Sequence, residues 1–471
     1  MHRNIKNLLK SIFPKKNIRD NNSKSNINKY SETDIVIGFD FGTSCTKIVL
    51  QSPFAFNRRS ILIPFNDYAH SSNKYLIPSV LYCDNNNVFS LVNNTGACVI
   101  NNIKVDITND DISKISEIIK INFVAYVSLV LRYVIKWFSE TQTEIFSNKK
   151  IHWRLNFGIP SKGFNDESLK ELIHHLLYLS SYISIQNTEI NYNDIEKILK
   201  NPEIKLDDNY IHKDDITIIP EIAAEVVGYA RSKLRDPGLH LIVDVGATTL
   251  DVSGFILSET LESKDLYSLL ICEVKKNGAN ELHILRKSKV KNALEELLKS
   301  KVDKNDRIEP VPENIDSYIP NVNELKNIIR NNFNEPLYKN SFDLIRRVIY
   351  DLKNKRDPNS HRWNTFLPVF LLGGGCNHPV YKKLLQDINE WMIEKLQRLN
   401  GNGIKIKEIP IPENLIIDED TKKYYHRFAV AYGLSFPPED IGNIRPQNAI
   451  EDMTDIPNEI EEFEYIGQEM V

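Results

Sequence analysis

One short pattern occurs twice in this chain and limits what it can fold into. In IVIGFDFGTSCTKIVL, Ile35 to Leu50, a β-branched apolar run leads to Asp40 and turns through Gly42, Thr43 and Ser44. It passes Thr46 and leaves as Ile48-Val49-Leu50. In HLIVDVGATTLDVSGFIL, His240 to Leu257, an apolar run leads to Asp244, turns through Gly246, Ala247, Thr248 and Thr249, and leaves as a second strand. Both copies fit D-x-G-x-[ST]. Glycine lets such a turn tighten and hydroxyl groups line it. Several backbone N–H groups can then face one concavity, which makes an anion site. A single copy is an ordinary hairpin. Two copies about two hundred residues apart predict two similar lobes, each bringing a phosphate loop to a shared cleft.

A third stretch fits the same picture. FLPVFLLGGGCNHPVYKKLL, Phe366 to Leu385, is an apolar strand running into Gly373-Gly374-Gly375, with a helix after Pro379. Three glycines after a buried strand let a flat ligand approach the backbone closely.

These three motifs, in this order, resemble the first phosphate loop, second phosphate loop and adenosine loop of the actin, sugar-kinase and heat-shock ATPase superfamily. Further stretches are similar to the nucleotide-binding domain of the seventy-kilodalton heat-shock proteins. Tyr75 to Leu81 resembles their I-P-S-V segment, Asn156 to Asp166 their V-P-A-x-F-x-D segment, and Ile218 to Ala230 their crossing helix. The resemblance covers roughly Asp34 to Pro437. It implies a two-lobed α/β fold of duplicated ribonuclease-H-like domains around a nucleotide cleft. ATP or ADP with Mg²⁺ is the implied cofactor.

The expected organisation is a disordered basic N-terminal segment over 1–33, a first lobe over 34–239, a second over 240–436 and an acidic tail over 437–471. In the first segment Ile5, Leu8, Leu9, Ile12 and Phe13 share one helical face among Arg3, Lys6 and Lys10, the pattern of a short basic amphipathic helix. This segment and the acidic tail are the expected contact points for a protein partner, and the first could also touch a membrane surface. The net charge of −4 and the dispersed basic residues give no footprint for nucleic acid. No signal peptide and no long apolar run are apparent in the sequence. The five cysteines form no C-x-x-C pair, the pattern of reduced thiols in a cytoplasm.

Phosphoryl transfer depends on positioning and charge neutralisation. The resemblance implies that Asp40, Asp244 and Asp251 hold the water shell of Mg²⁺, and that Glu221 orients the attacking water. Lys104 is the expected basic group near the γ-phosphate. Gly42, Thr43, Ser44, Thr46, Gly246, Ala247, Thr248 and Thr249 are expected at the phosphates, and Gly373, Gly374 and Gly375 at the adenosine. Two departures from the family pattern favour ATP binding over brisk hydrolysis. Ala247 and Thr248 stand where glycines are usual, and a β-branched residue resists positive φ. Asn377 stands where an arginine is common. The expected function is a chaperone-like ATPase switch whose lobe closure is read by a partner. A filament-forming actin-like ATPase and a small-molecule kinase of the same superfamily are the alternatives.

Overall fold

The computed structural model describes residues 31–53, 59–66, 68, 73–94, 96–108, 111–142, 149–186, 188–201, 209–293, 308, 310–318, 335–396 and 402–452. The expected N-terminal amphipathic helix and the Glu-rich end of the tail lie outside them.

The chain is mixed α/β. In order, the strands are Ser31–Phe41 (β1), Cys45–Gln51 (β2), Ser60–Leu62 (β3), Ile77–Pro78 (β4), Leu81–Cys83 (β5), Phe89–Ser90 (β6), Cys98–Ile100 (β7), Lys149–Ile159 (β8), Ile216–Pro220 (β9), Gly238–Val245 (β10), Leu250–Glu259 (β11), Asp265–Lys275 (β12), Leu367–Leu372 (β13), Ile404–Lys407 (β14), Leu415–Ile416 (β15) and Asn443–Arg445 (β16). Helices of five residues or more include Ile103–Ile107 (α1), Glu117–Thr141 (α2), Glu167–Ser184 (α3), Tyr192–Leu199 (α4), Glu221–Ala230 (α5), Ala279–Ala293 (α6), Glu335–Asp351 (α7), Pro379–Trp391 (α8) and Ala429–Leu434 (α9).

Sheet I has the order β15-β3-β2-β1-β8-β9, with β4 added to β2, and sheet II has the order β14-β13-β10-β11-β12-β16. The run β3-β2-β1-β8-β9 corresponds strand for strand to β12-β11-β10-β13-β14. In each, the first strand pairs antiparallel with the second and the second antiparallel with the third. The fourth of each run, β8 or β13, pairs parallel with the third, β1 or β10, and the fifth parallel with the fourth. The two D-x-G-x-[ST] hairpins are therefore the leading hairpins of two sheets built to one plan.

Each sheet buries an apolar core. Beside sheet I, α2 is apolar on almost every side, because it packs on the sheet with one face and on α3 with another. Phe123 and Tyr126 of α2 meet Phe41, and Phe138 meets Trp153. By length and composition α2 could cross a membrane, contrary to the reading of the sequence, but 61% of its most apolar window is buried inside the protein. Asp166 caps α3 by accepting from Leu169 N–H. At its far end the Arg132 guanidinium donates to the carbonyls of Ile183, Ser184 and Gln186, which ties α2 to the C-terminal end of α3.

Two helices join the halves. Helix α5 follows β9 of sheet I and leads into β10 of sheet II. Helix α9, from the second half, packs on α5 and on β1 of sheet I. Gly433 of α9 lies so close to Ala224 of α5 that a Cβ there would sit 1.8 Å from the Ala224 carbonyl oxygen. Asn156 of β8 donates to the carbonyls of Leu434 and Phe436 at 2.7 and 2.6 Å, holding the end of α9 against sheet I.

Several expected boundaries move. β1 begins at Ser31 rather than Asp34, because Ser31, Glu32 and Thr33 pair in parallel with Lys149, Lys150 and Ile151. The stretch before the tail is a tight 3₁₀ turn, Tyr425–Arg427, followed by α9, and a short helix over Pro438–Ile441 comes after it, inside the expected tail. The divide at 239/240 is crossed when β15 returns to pair with β3 of sheet I. The first part of the expected tail is folded. β16 pairs with β12, Gln447 accepts from Cys272 N–H, and Asp452 pairs with Arg356 at 2.9 Å.

Candidate functional site

The expected site residues gather at the carboxyl ends of the strands. Asp40 is the next-to-last residue of β1 and Asp244 of β10, Glu221 follows β9 and Gly373 follows β13. In open α/β sheets the backbone diverges at these ends and leaves room for ligands.

The second loop is held by its carbonyls. Gly278, Ala279 and Asn280, at the entry to α6, donate their N–H groups to the carbonyls of Thr248, Gly246 and Ala247 at 3.0, 3.0 and 2.7 Å. A trans peptide points its C=O and the following N–H in opposite directions. The N–H groups of Ala247, Thr248 and Thr249 are thus turned away from α6. Among the described residues they have no hydrogen-bond partner. The result is a small concavity of amide donors suited to an anion. Ser79 does similar work on the first loop. Its N–H donates to the Ser44 carbonyl at 2.9 Å and its hydroxyl to the Gly42 carbonyl at 2.6 Å. The I-P-S-V segment therefore braces the first loop, alongside Thr43.

Thr46 is not brought to this concavity. It is fully buried, with its hydroxyl 3.2 Å from Ser79 Oγ and accepting from Tyr126 O–H at 2.9 Å, so it locks the base of the hairpin to α2. Thr248 takes an ordinary negative φ. The only non-glycine residues with positive φ among the described ones are Asn87, Asn102 and Ser263. The expected backbone strain at Thr248 is absent, because the amides at the entry to α6 hold the loop without a left-handed residue.

Charge is concentrated between the two hairpins. Asp40 is paired with Lys47 at 2.9 Å, and Lys104 with Glu221 at 2.6 Å. Lys104 is carried on α1, where Asn102 at φ 62° turns the chain into the helix. Burial works against the Lys104 charge, but Glu221, Asp40 and Asp251 outweigh it and raise its pKa. The carboxylates of the second hairpin have less relief. Burial, then the charge of Glu221, pushes Asp244 up to about 6, against the pull of Lys104 and Lys47. Burial, then Asp244, pushes Asp251 up to about 8. Asp251 Oδ2 accepts from Thr249 Oγ1 at 3.1 Å. Asp244 Oδ1, Asp251 Oδ1 and Thr248 Oγ1 are buried with no partner among the described residues. Buried polar atoms normally have partners, so three orphans together fit a polar or cationic ligand at this point. No three carboxylate, imidazole or thiol groups converge into a direct metal cage among the described residues.

Three members of the site were not singled out in the sequence. Lys47 stands seven positions after Asp40, as Asp251 does after Asp244, and aligning the hairpins on their aspartates would have found it. Glu225, one helical turn beyond Glu221 on α5, is buried, and burial followed by Asp244 and Glu221 raises its pKa well above the carboxylate range. Arg427 lies beside Gly374, and nothing in the sequence pointed to it.

The glycine loop sits directly on the second hairpin. Gly375 donates its N–H to the Val245 carbonyl at 2.9 Å, and Gly373, at φ +82°, lies against the Asp244 carboxylate. No protein-family model and no curated protein matches the chain.

Proposed function

We propose that this chain is an ATP-binding, slowly hydrolysing ATPase of the actin, sugar-kinase and heat-shock superfamily. It stands nearest the nucleotide-binding domain of the seventy-kilodalton heat-shock proteins. Its two ribonuclease-H-like lobes enclose a nucleotide cleft, and lobe closure is the signal passed to a protein partner. The observation that carries the reading is the repeated sheet plan. Each half carries an aspartate one residue before the end of its first strand, follows it with a hydroxyl-lined turn, and turns that end toward the other half's carboxylates.

In this reading the turned-out amides of residues 247–249 and the hydroxyls of the two loops bind phosphate oxygens. Lys104 neutralises charge that develops on them. Mg²⁺, when bound, would supply positive charge that neutralises the phosphates. Asp40, Asp244 and Asp251 would hold it mainly through its waters, consistent with the absence of a direct cage among the described residues. Glu221 is the group within the cluster suited to orient an attacking water. Its carboxylate is held by Lys104 at 2.6 Å, and a base held in an ion pair must loosen it before it accepts a proton. That restraint supports slow turnover.

Titration calorimetry with ATP and magnesium tests the reading. The wild type should bind, and Asp40→Asn and Asp244→Asn should each weaken binding by roughly tenfold or more, the scale of one charge-assisted contact. A wild type that takes up no ATP rules the proposal out.

A further inference from the structure

Three of the five cysteines, Cys45, Cys272 and Cys376, are packed into the cores. The other two reach solvent, and they face each other. Cys98 begins β7 and is exposed, and Cys83 ends β5 and is half-buried. The two strands run antiparallel, with Leu81 opposite Ile100, Tyr82 opposite Val99 and Cys83 opposite Cys98. Cysteine is among the residue types most often buried, so core packing explains the first three positions and not Cys98.

Directly opposed residues of an antiparallel pair project from the same face of the sheet. Their Cα atoms stand about 4.5–5.5 Å apart, inside the range of about 4.4–6.8 Å that a disulfide spans. Their Cβ atoms need to approach by only about 1 Å to reach the separation usual in a disulfide. Strand β7 can supply that movement. It is three residues long and lies at the edge of the small sheet β6-β5-β7, so a shift breaks no further strand pairing among the described residues. The Cys83 thiol is lightly held. It donates to the Asp84 carbonyl at 3.8 Å, a weak bond of the kind sulfur makes. Burial, then Asp84, then Cys98 raise its pKa, so the two sulfur groups lie within electrostatic reach of each other. Cys98 is the more open of the two, and an outside reagent meets it first.

We propose that Cys83 and Cys98 are a reversible redox pair, oxidised by a small-molecule disulfide of the glutathione type, and that closing it tightens β7 and α1. The Cys98 thiolate attacks one sulfur of the reagent, a mixed disulfide forms, and one glutathione thiolate leaves. Cys83 then gives its proton to solvent, and its thiolate attacks Sγ of Cys98 and expels the second glutathione thiolate. The two leaving thiolates take up the two protons released. Two protein thiols thus become one disulfide while one reagent disulfide becomes two thiols. The bond ties together two arms that lead to the charged cluster. β5 follows Ser79, which braces the first loop, and β7 leads into α1, which carries Lys104. The pair would close whether or not the cleft takes up ATP.

The experiment is exposure of the full native chain to oxidised glutathione, followed by blocking of free thiols, intact mass measurement and peptide mapping. The wild type should lose two hydrogens, with Cys83 and Cys98 joined in one cross-linked product, and dithiothreitol should restore both thiols. Cys83→Ser should stop at the mixed disulfide on Cys98, and Cys98→Ser should stay largely unmodified. Both positions reach solvent, so serine fits at each. Hydrogen–deuterium exchange of residues 98–107 should slow several-fold in the oxidised wild type and not in Cys83→Ser treated in the same way. A wild type that stops at the mixed disulfide, joins two chains through Cys98, or pairs either residue with a core cysteine overturns the inference. So does a closed Cys83–Cys98 bond that leaves the exchange of 98–107 unchanged.

Discussion

Asp251 faces Asp244 across the second hairpin in the same register in which Lys47 faces Asp40 across the first. The two hairpins share one backbone plan, yet one carries an ion pair at this place and the other a pair of acids. The first hairpin is neutralised internally. The second is left with two buried carboxylates and orphaned oxygens on both. This asymmetry leaves the second hairpin as the side that needs a cation.

That pair makes stability depend on pH from the alkaline side. Asp244 and Asp251 have folded-state pKa values raised from 3.8 to about 6 and about 8. The unfolded chain releases these protons first, so their stabilising effect is complete below 3.8 and is lost as pH rises through 6 and then 8. Glu225 acts in the same direction. Each pH unit between unfolded and folded values costs about 1.4 kcal/mol per group at most. Thermal melts of the ligand-free protein should fall between pH 5 and pH 8, and Asp251→Asn should flatten that fall. Parallel profiles for the two proteins would contradict it.

The acid side is governed by a different group. His240 of β10 is fully buried, stacked between the rings of Phe255 and Phe370, with Nδ1 2.8 Å from the Gly238 carbonyl. Burial pushes its pKa down to about 4. Below 6.5 the unfolded chain takes up a proton that the folded one refuses, so stability is lost as pH falls from 6.5 toward 4. The full effect is about 3 kcal/mol. His426, pushed down to about 4 mainly by burial, adds to it. His240→Gln should reduce the slope of denaturation midpoint against pH in that window, whatever its effect on stability at pH 7.

Gly433 should be the least replaceable glycine of the helix pair. Its missing side chain would collide with a main-chain carbonyl at 1.8 Å, and no rotamer of Ala224 can relieve that. Gly433→Ala should cost about 3 kcal/mol or more by forcing α9 away from α5. Gly374→Ala, whose Cβ would lie 3.7 Å from its nearest neighbour among the described residues, should leave the melting temperature nearly unchanged. Equal melting of both variants would show that the helix contact yields more easily than its geometry implies.

Thr248→Gly should not free a strained loop. The residue has no positive φ to relieve, and its loop is already pinned by Gly278, Ala279 and Asn280. The substitution adds unfolded-state freedom and should cost about 0.5–1 kcal/mol. It also removes a hydroxyl from the site, so ATP turnover should stay level or fall. A faster folded variant would show that the threonine obstructs the site sterically.

Much of this protein could be read locally. The hairpins, the glycine turn and the cap of α3 at Asp166 each depend on residues a few positions apart, where alternation, turn chemistry and capping act directly. The pairing of Asp40 with Asp244 as equivalent positions was legible for the same reason, because the pattern repeats. What lay beyond the sequence depends on distant segments meeting. Lys104 finds Glu221 across 117 positions, Asn156 holds the end of α9, and Arg427 reaches Gly374 only because α9 folds back onto sheet I. Even the freedom of the amides at 247–249 was decided by residues 278–280, beyond a whole strand pair. A sequence sets which groups a turn can offer. Which way those groups face, and how strongly a carboxylate holds its proton, depends on what tertiary packing places against them and on how much water it removes.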